Sequence, residues 1–135
     1  MFKLVEERRA WQPVTFPGLT EEGETVENKV EMQFVLLSTD ANQTLLEEAR
    51  DLTGGAPAEA GEGGANADET MSETMARFGM KIIRDWRGVH EANDDPIKFS
   101  AANLARLFNV PGVFEATLVA YRNACAGGKD ARAGN

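Results

Sequence analysis

One cysteine, one histidine and one tyrosine stand among 135 residues, and no apolar run approaches the roughly 20 residues that cross a bilayer. Cys125 alone can form no intrachain disulfide, which predicts a reducing, cytoplasmic setting. His90 alone removes His-based metal clusters and any pair of catalytic histidines. Basic residues are also scarce, 14 Lys and Arg against 22 Asp and Glu, for a formal charge of -8. Such a field repels polyanions and lacks the basic stripe of a nucleic-acid binder, so DNA and RNA are not expected as partners. Residues 1–10 mix Phe2, Leu4 and Val5 with five charged side chains, which is not a signal-peptide pattern. No membrane partner is expected.

What is present suits one globular domain spanning 1–135, with 42% hydrophobic and 27% charged residues. Residues 9–17 and 27–37 are rich in β-branched and aromatic types and predict two antiparallel strands. In the second, Val30, Met32, Phe34 and Leu36 alternate with Glu31, Gln33, Val35 and Leu37. Pro13 and Pro17 cannot donate to a ladder, which places the first strand at a sheet edge. The period then changes. Leu45, Leu46, Ala49 and Leu52 predict a helix over 41–51 with Asp40 as N-cap. Residues 54–67 are almost wholly Gly, Ala, Glu and Pro, and predict a mobile loop.

From residue 68 the spacing of Met71, Met75, Phe78, Ile82 and Trp86 predicts a helix running through Trp86, with Gly88 as its terminator. A polar loop over 89–98 follows. Ser100 is the expected N-cap of a short helix ending near Asn109, with Phe99 placed to staple onto Leu104. A last helix is expected with Pro111 in its first turn and Phe114, Leu118, Tyr121 and Cys125 on one face. Residues 127–135 are expected to fray. The expected class is therefore α+β, a short N-terminal β-hairpin over 1–38 followed by about four helices, the later ones filling 68–126. Phe34, Leu36, Leu45, Phe78, Ile82, Trp86, Leu104, Leu107, Phe114 and Leu118 are the expected core.

A search for chemistry ends without an active site. His90 sits in a polar loop with no announced nucleophile or orienting partner. Glu91, Asp94 and Asp95 lack the ligand alternation and terminal glutamate of a calcium loop, and read as a solvated acidic turn. Cys125 reads as a small core residue. The glycines between 54 and 64 lack the strand, helix and lysine of a phosphate loop. No cofactor and no metal site are expected. Met71, Met75 and Met80 give the long helix a deformable surface that is either core or a candidate partner surface. The protein reads as one whose work is contact.

Two stretches narrow that reading. Residues 4–17, LVEERRAWQPVTFP, contain Trp11 and Phe16 and precede a second strand and helix. Residues 85–107, DWRGVHEANDDPIKFSAANLARL, contain Asp85, Trp86, Gly88, Val89, Phe99, Ser100 and Leu104, and precede a helix bearing Tyr121. This order resembles the tail assembly chaperones of long-tailed phages and prophages. The resemblance covers most of the chain except the Gly/Ala loop, and it marks these residues as a mainly structural motif. It implies a non-enzymatic virion morphogenesis protein of the host-cell cytoplasm. Such a protein would bind the tape measure protein, coat its apolar helical length, and leave as major tail tube protein subunits replace it. Weak self-association is expected with it. The competing readings are a tail tube or terminator subunit, for which two convincing strands are too few, and a small enzyme, which would need a pocket of convergent polar groups.

Overall fold

The computed structural model describes residues 2–4, 7–53 and 69–127. The expected loop at 54–67, and the expected fraying over 128–135, lie outside the described residues.

β1 (Arg8–Leu19) and β2 (Thr25–Leu36) form a long antiparallel hairpin. Its turn needs the positive φ of Gly23 (88°), which lets Gly23 donate to the Thr20 carbonyl at 2.9 Å. Thr20 in turn donates to the Glu24 carbonyl at 2.9 Å, so the pair Thr20/Glu24 is a hydrogen-bonded one. The register holds without a slip from Leu19↔Thr25 to Arg8↔Leu36. Antiparallel pairing alternates by two. Even-numbered residues of β1 therefore bond to β2, and odd-numbered ones aim their backbone groups away from it.

The helix expected over 68–86 is two elements. α2 (Met71–Gly79) is an α-helix, and β3 (Ile83–Arg87) is a strand, paired antiparallel to β2 at Met32↔Trp86 and Gln33↔Asp85. The three-stranded sheet has the order β1-β2-β3. Lys81 and Ile82 donate to the carbonyls of Phe78 and Gly79 in a tight turn, after which Ile82 accepts from Val35 N at 2.7 Å. The apolar positions 78, 82, 83 and 86 satisfy a helical stripe as well as a buried strand. The unpaired side of β2 decides between them, because its N–H and C=O groups require partners once buried. Gly79 also marks the break, with side chains of Leu104 and Phe108 packed over it.

The helix starts follow side-chain caps. α2 opens on a reciprocal capping box between Thr70 and Glu73. α1 (Thr39–Thr53) is capped by Ser38, whose hydroxyl accepts from Ala41 N at 3.2 Å, and Asp40 lies inside its first turn rather than capping it. α3 (Ala101–Phe108) is capped as expected by Ser100, which accepts from Asn103 N, and it stops at Asn109. α4 (Val113–Cys125) follows Gly112, a left-handed residue with φ 86°, so Pro111 precedes the helix instead of forming its first turn.

One apolar cluster joins the inner sheet face (Val14, Phe16, Val30, Met32, Phe34, Trp86) to helical residues including Leu45, Phe78, Leu104, Phe114, Leu118 and Tyr121. The helices thus cover one face of the sheet, giving a two-layer α+β fold. Leu36 and Leu107, expected in the core, are half-buried at its margin. Cys125 is exposed, contrary to the apolar-face reading, because the buried stripe of α4 runs from Tyr121 to Ala124. Among the described residues no helix is long and apolar enough to cross a membrane.

Candidate functional site

Most of the motif residues gather where β3 hands the chain to α3. Trp86 lies on the inner sheet face opposite Met32. Its indole N–H donates to the Ile97 carbonyl at 2.7 Å, and its ring meets Phe99 edge-on at 5.3 Å. A buried indole needs such an acceptor. Gly88 adopts φ 87° and turns the chain away from the sheet. Val89 then accepts from Ile97 N at 2.9 Å, and His90 bridges to Pro96. Phe99, the expected staple, therefore has Trp86 as its ring partner, while Leu104 is fully buried beneath α3.

The acidic turn is held by its own groups. Glu91 N donates to the Asp95 carbonyl, Asp95 N donates to the Asn93 side chain, and Asp94 takes φ 74°. The Glu91 carboxylate accepts a two-pronged contact from Arg106 of α3, and that bond holds it below the usual carboxylate range. The loop is thereby fastened to the helix that follows it. Among the described residues no three His, Cys, Asp or Glu are placed to hold a metal ion.

Tyr121 forms a second, separate node. Its hydroxyl donates to Asn42 Oδ1 at 2.5 Å and accepts from Leu37 N at 3.2 Å, while Asn42 Nδ2 donates to the Leu37 carbonyl. The ring packs edge-on against Phe34. This joins α4 to the β2–α1 junction, and burial pushes the phenol up to about 12. Asn42 was invisible in the sequence as a partner, being 79 residues away.

Trp11 and Phe16 lie elsewhere again. Trp11 is on the outer face of β1, with the Arg87 guanidinium 3.7 Å from its ring centre and Glu31 beside Arg87 at 3.9 Å. Phe16 is on the inner face near the hairpin tip. The residues that carry the resemblance thus lie at four places rather than in one pocket. Of Met71, Met75 and Met80, the last two are half-buried against the core and Met71 is exposed, so the expected Met-rich surface reduces to one residue.

The sheet edges carry a pattern of their own. Pro13 and Pro17 fall at odd positions of β1, where an N–H would point outward, so the residue without a donor stands where a foreign strand would pair. On β3, residues 85 and 87 face β2, which aims the Trp86 N–H outward, and that N–H is taken by Asp85 Oδ1 at 2.8 Å. Asp85 thus closes its own edge. β2 pairs with β3 from Glu31 to Phe34, and Val35 N still reaches the Ile82 carbonyl. Before Glu31, Gly88 lies against Val30 and the Lys29 carbonyl, and the exposed Thr25 and Glu27 stand without a β3 partner, next to an open concavity lined by Thr15, Phe16, Pro17, Thr25, Val26 and Glu27. What these features can do chemically is bind an extended or apolar segment. The chain matches no known protein family, no curated protein and no solved structure.

Proposed function

We propose that this chain is a non-enzymatic tail assembly chaperone that binds a tape measure protein before the major tail tube protein polymerises around it. The observation that carries the reading is the ordered run of residues 85–107 with its preceding Trp11 segment. Support comes from the surface. The helical half exposes Leu46, Met71, Val110 and Val119 as separated apolar residues, a distribution suited to many weak contacts along a helical partner rather than one tight patch. An acidic exterior of charge -8 keeps such a protein soluble while it holds an apolar client.

Co-expression with the tape measure protein of the same locus is the test. The tape measure should become soluble and co-purify with more than one copy of this chain. An insoluble tape measure with no complex, together with tubes or rings formed by this chain alone, would replace the chaperone reading with that of a tail structural subunit.

A further inference from the structure

We propose that residues 2–4 of one copy add as an extended strand to the open β2 edge at residues 25–27 of a second copy, Phe2 and Leu4 entering beside Val26 and Phe16 and Lys3 facing Glu27. The recipient edge is defined by exclusion. Pro13 and Pro17 remove donors from the β1 edge, Asp85 occupies the outward amide of β3, and β3 stops pairing at Arg87 before Gly88 turns away. On β2 the Thr25 and Glu27 stretch carries no proline and no such side-chain guard, and both residues are exposed. An edge of this kind recruits another strand through main-chain hydrogen bonds.

The donor segment has matching chemistry. Phe2 is 67% and Leu4 91% exposed, outside any helix or strand. In an extended segment they share one face and Lys3 takes the other. Along β2 the same alternation puts Val26 on the inner face with the concavity, and Glu27 on the outer one. Charge agrees in sign. Residues 19–29 hold Glu21, Glu22, Glu24 and Glu27 against Lys29, whereas residues 2–9 hold Lys3, Arg8 and Arg9 against Glu6 and Glu7.

The contact must be between molecules. From Arg8 to Leu19 the hairpin runs about 36 Å at about 3.3 Å per residue, and residues 2–7 reach at most about 21 Å. An arm at one end and its receptor at the other make a heterologous, head-to-tail contact, which builds chains or a ring rather than a symmetric dimer. The added strand is short, so association is weak and concentration-dependent. This holds whatever client the protein carries, and it is read on the isolated chain without a tape measure.

Sedimentation velocity on the full chain over rising concentration is the experiment, with circular dichroism confirming that each variant folds. The wild type should form a ladder of dimers and longer chains that shortens in high salt. Phe2→Asp/Leu4→Asp removes the arm and Val26→Asp blocks the receptor, and each variant alone should stay monomeric. Mixed at equal amounts they should give dimers that grow no further, since one intact arm meets one intact edge. In the wild type, amides of residues 25–27 should exchange about ten-fold more slowly at high than at low concentration. A monomeric wild type at about millimolar concentration, association that survives loss of the arm, or unchanged exchange at 25–27 while an unrelated extended peptide slows it, would overturn the proposal. The last result would assign the edge to a foreign strand.

Discussion

The Tyr121 hydroxyl serves two partners at once, donating to Asn42 Oδ1 and accepting from Leu37 N, and so holds α4 against the end of β2. Tyr121→Phe leaves Leu37 N and the Asn42 carbonyl without that partner and should destabilise by about 1 to 2 kcal/mol in chemical denaturation. Its pH effect has a definite sign. The folded phenol is raised to about 12 from an ordinary value of 10.0, so its contribution is whole below about pH 10 and is lost as the pH rises toward 12. Because it is the sole tyrosine, phenolate absorbance reports it directly. A midpoint near 10 in the native protein would mean the hydroxyl is solvated. Trp86 acts comparably on the same face of the sheet, at β3, through its bond to Ile97 and its contact with Phe99. Trp86→Ala should cost about 3 to 5 kcal/mol, and a loss under about 1 kcal/mol would place the ring in solvent.

At the scale of elements, the junction between α2 and β3 concentrates the competing forces. Gly79 ends the helix where a Cβ would sit 3.0 Å from Leu104 Cδ2 and 3.0 Å from Phe108 Cε2. Gly79→Ala gains about 1 kcal/mol of helix propensity and meets an overpacking cost of about 1 to 3 kcal/mol. The expected outcome is a lower melting temperature, and a higher one would show that α3 shifts freely. This junction also marks the limit of local reading. The hairpin was legible because Val30, Met32 and Phe34 alternate without interruption, and the Ser100 cap because it is a local signal. Residues 82–86 were not, since a stripe at 78, 82 and 86 has a helical period, while the need that made it a strand came from β2, about 50 residues earlier. The Thr70/Glu73 capping box was available in the sequence and would have placed the start of α2.

Over the whole molecule, one sheet face is dry and the other open. The helices bury Val14, Met32 and Phe34, while Trp11, Glu31, Gln33 and Arg87 line the far side. The hairpin extends past β3, so that its last turns have neither a third strand nor full cover. That overhang combines open backbone groups, the exposed Leu19 and Val26, and a cluster of glutamates. The proposed contact with a second copy and the proposed contact with a client use different residues, so the two proposals can fail separately.

The sequence by itself determined the class, the hairpin and its edge, the Ser100 helix start and most of the core, because each is written in a local period, a cap or a missing donor. Only the tertiary structure decided that Trp86 belongs to a strand, that Cys125 faces out, that Asn42 meets Tyr121, and which stretch of sheet edge stays open. Those outcomes depend on groups far apart in the chain competing for the same hydrogen bonds and the same space, and no window of sequence contains both competitors.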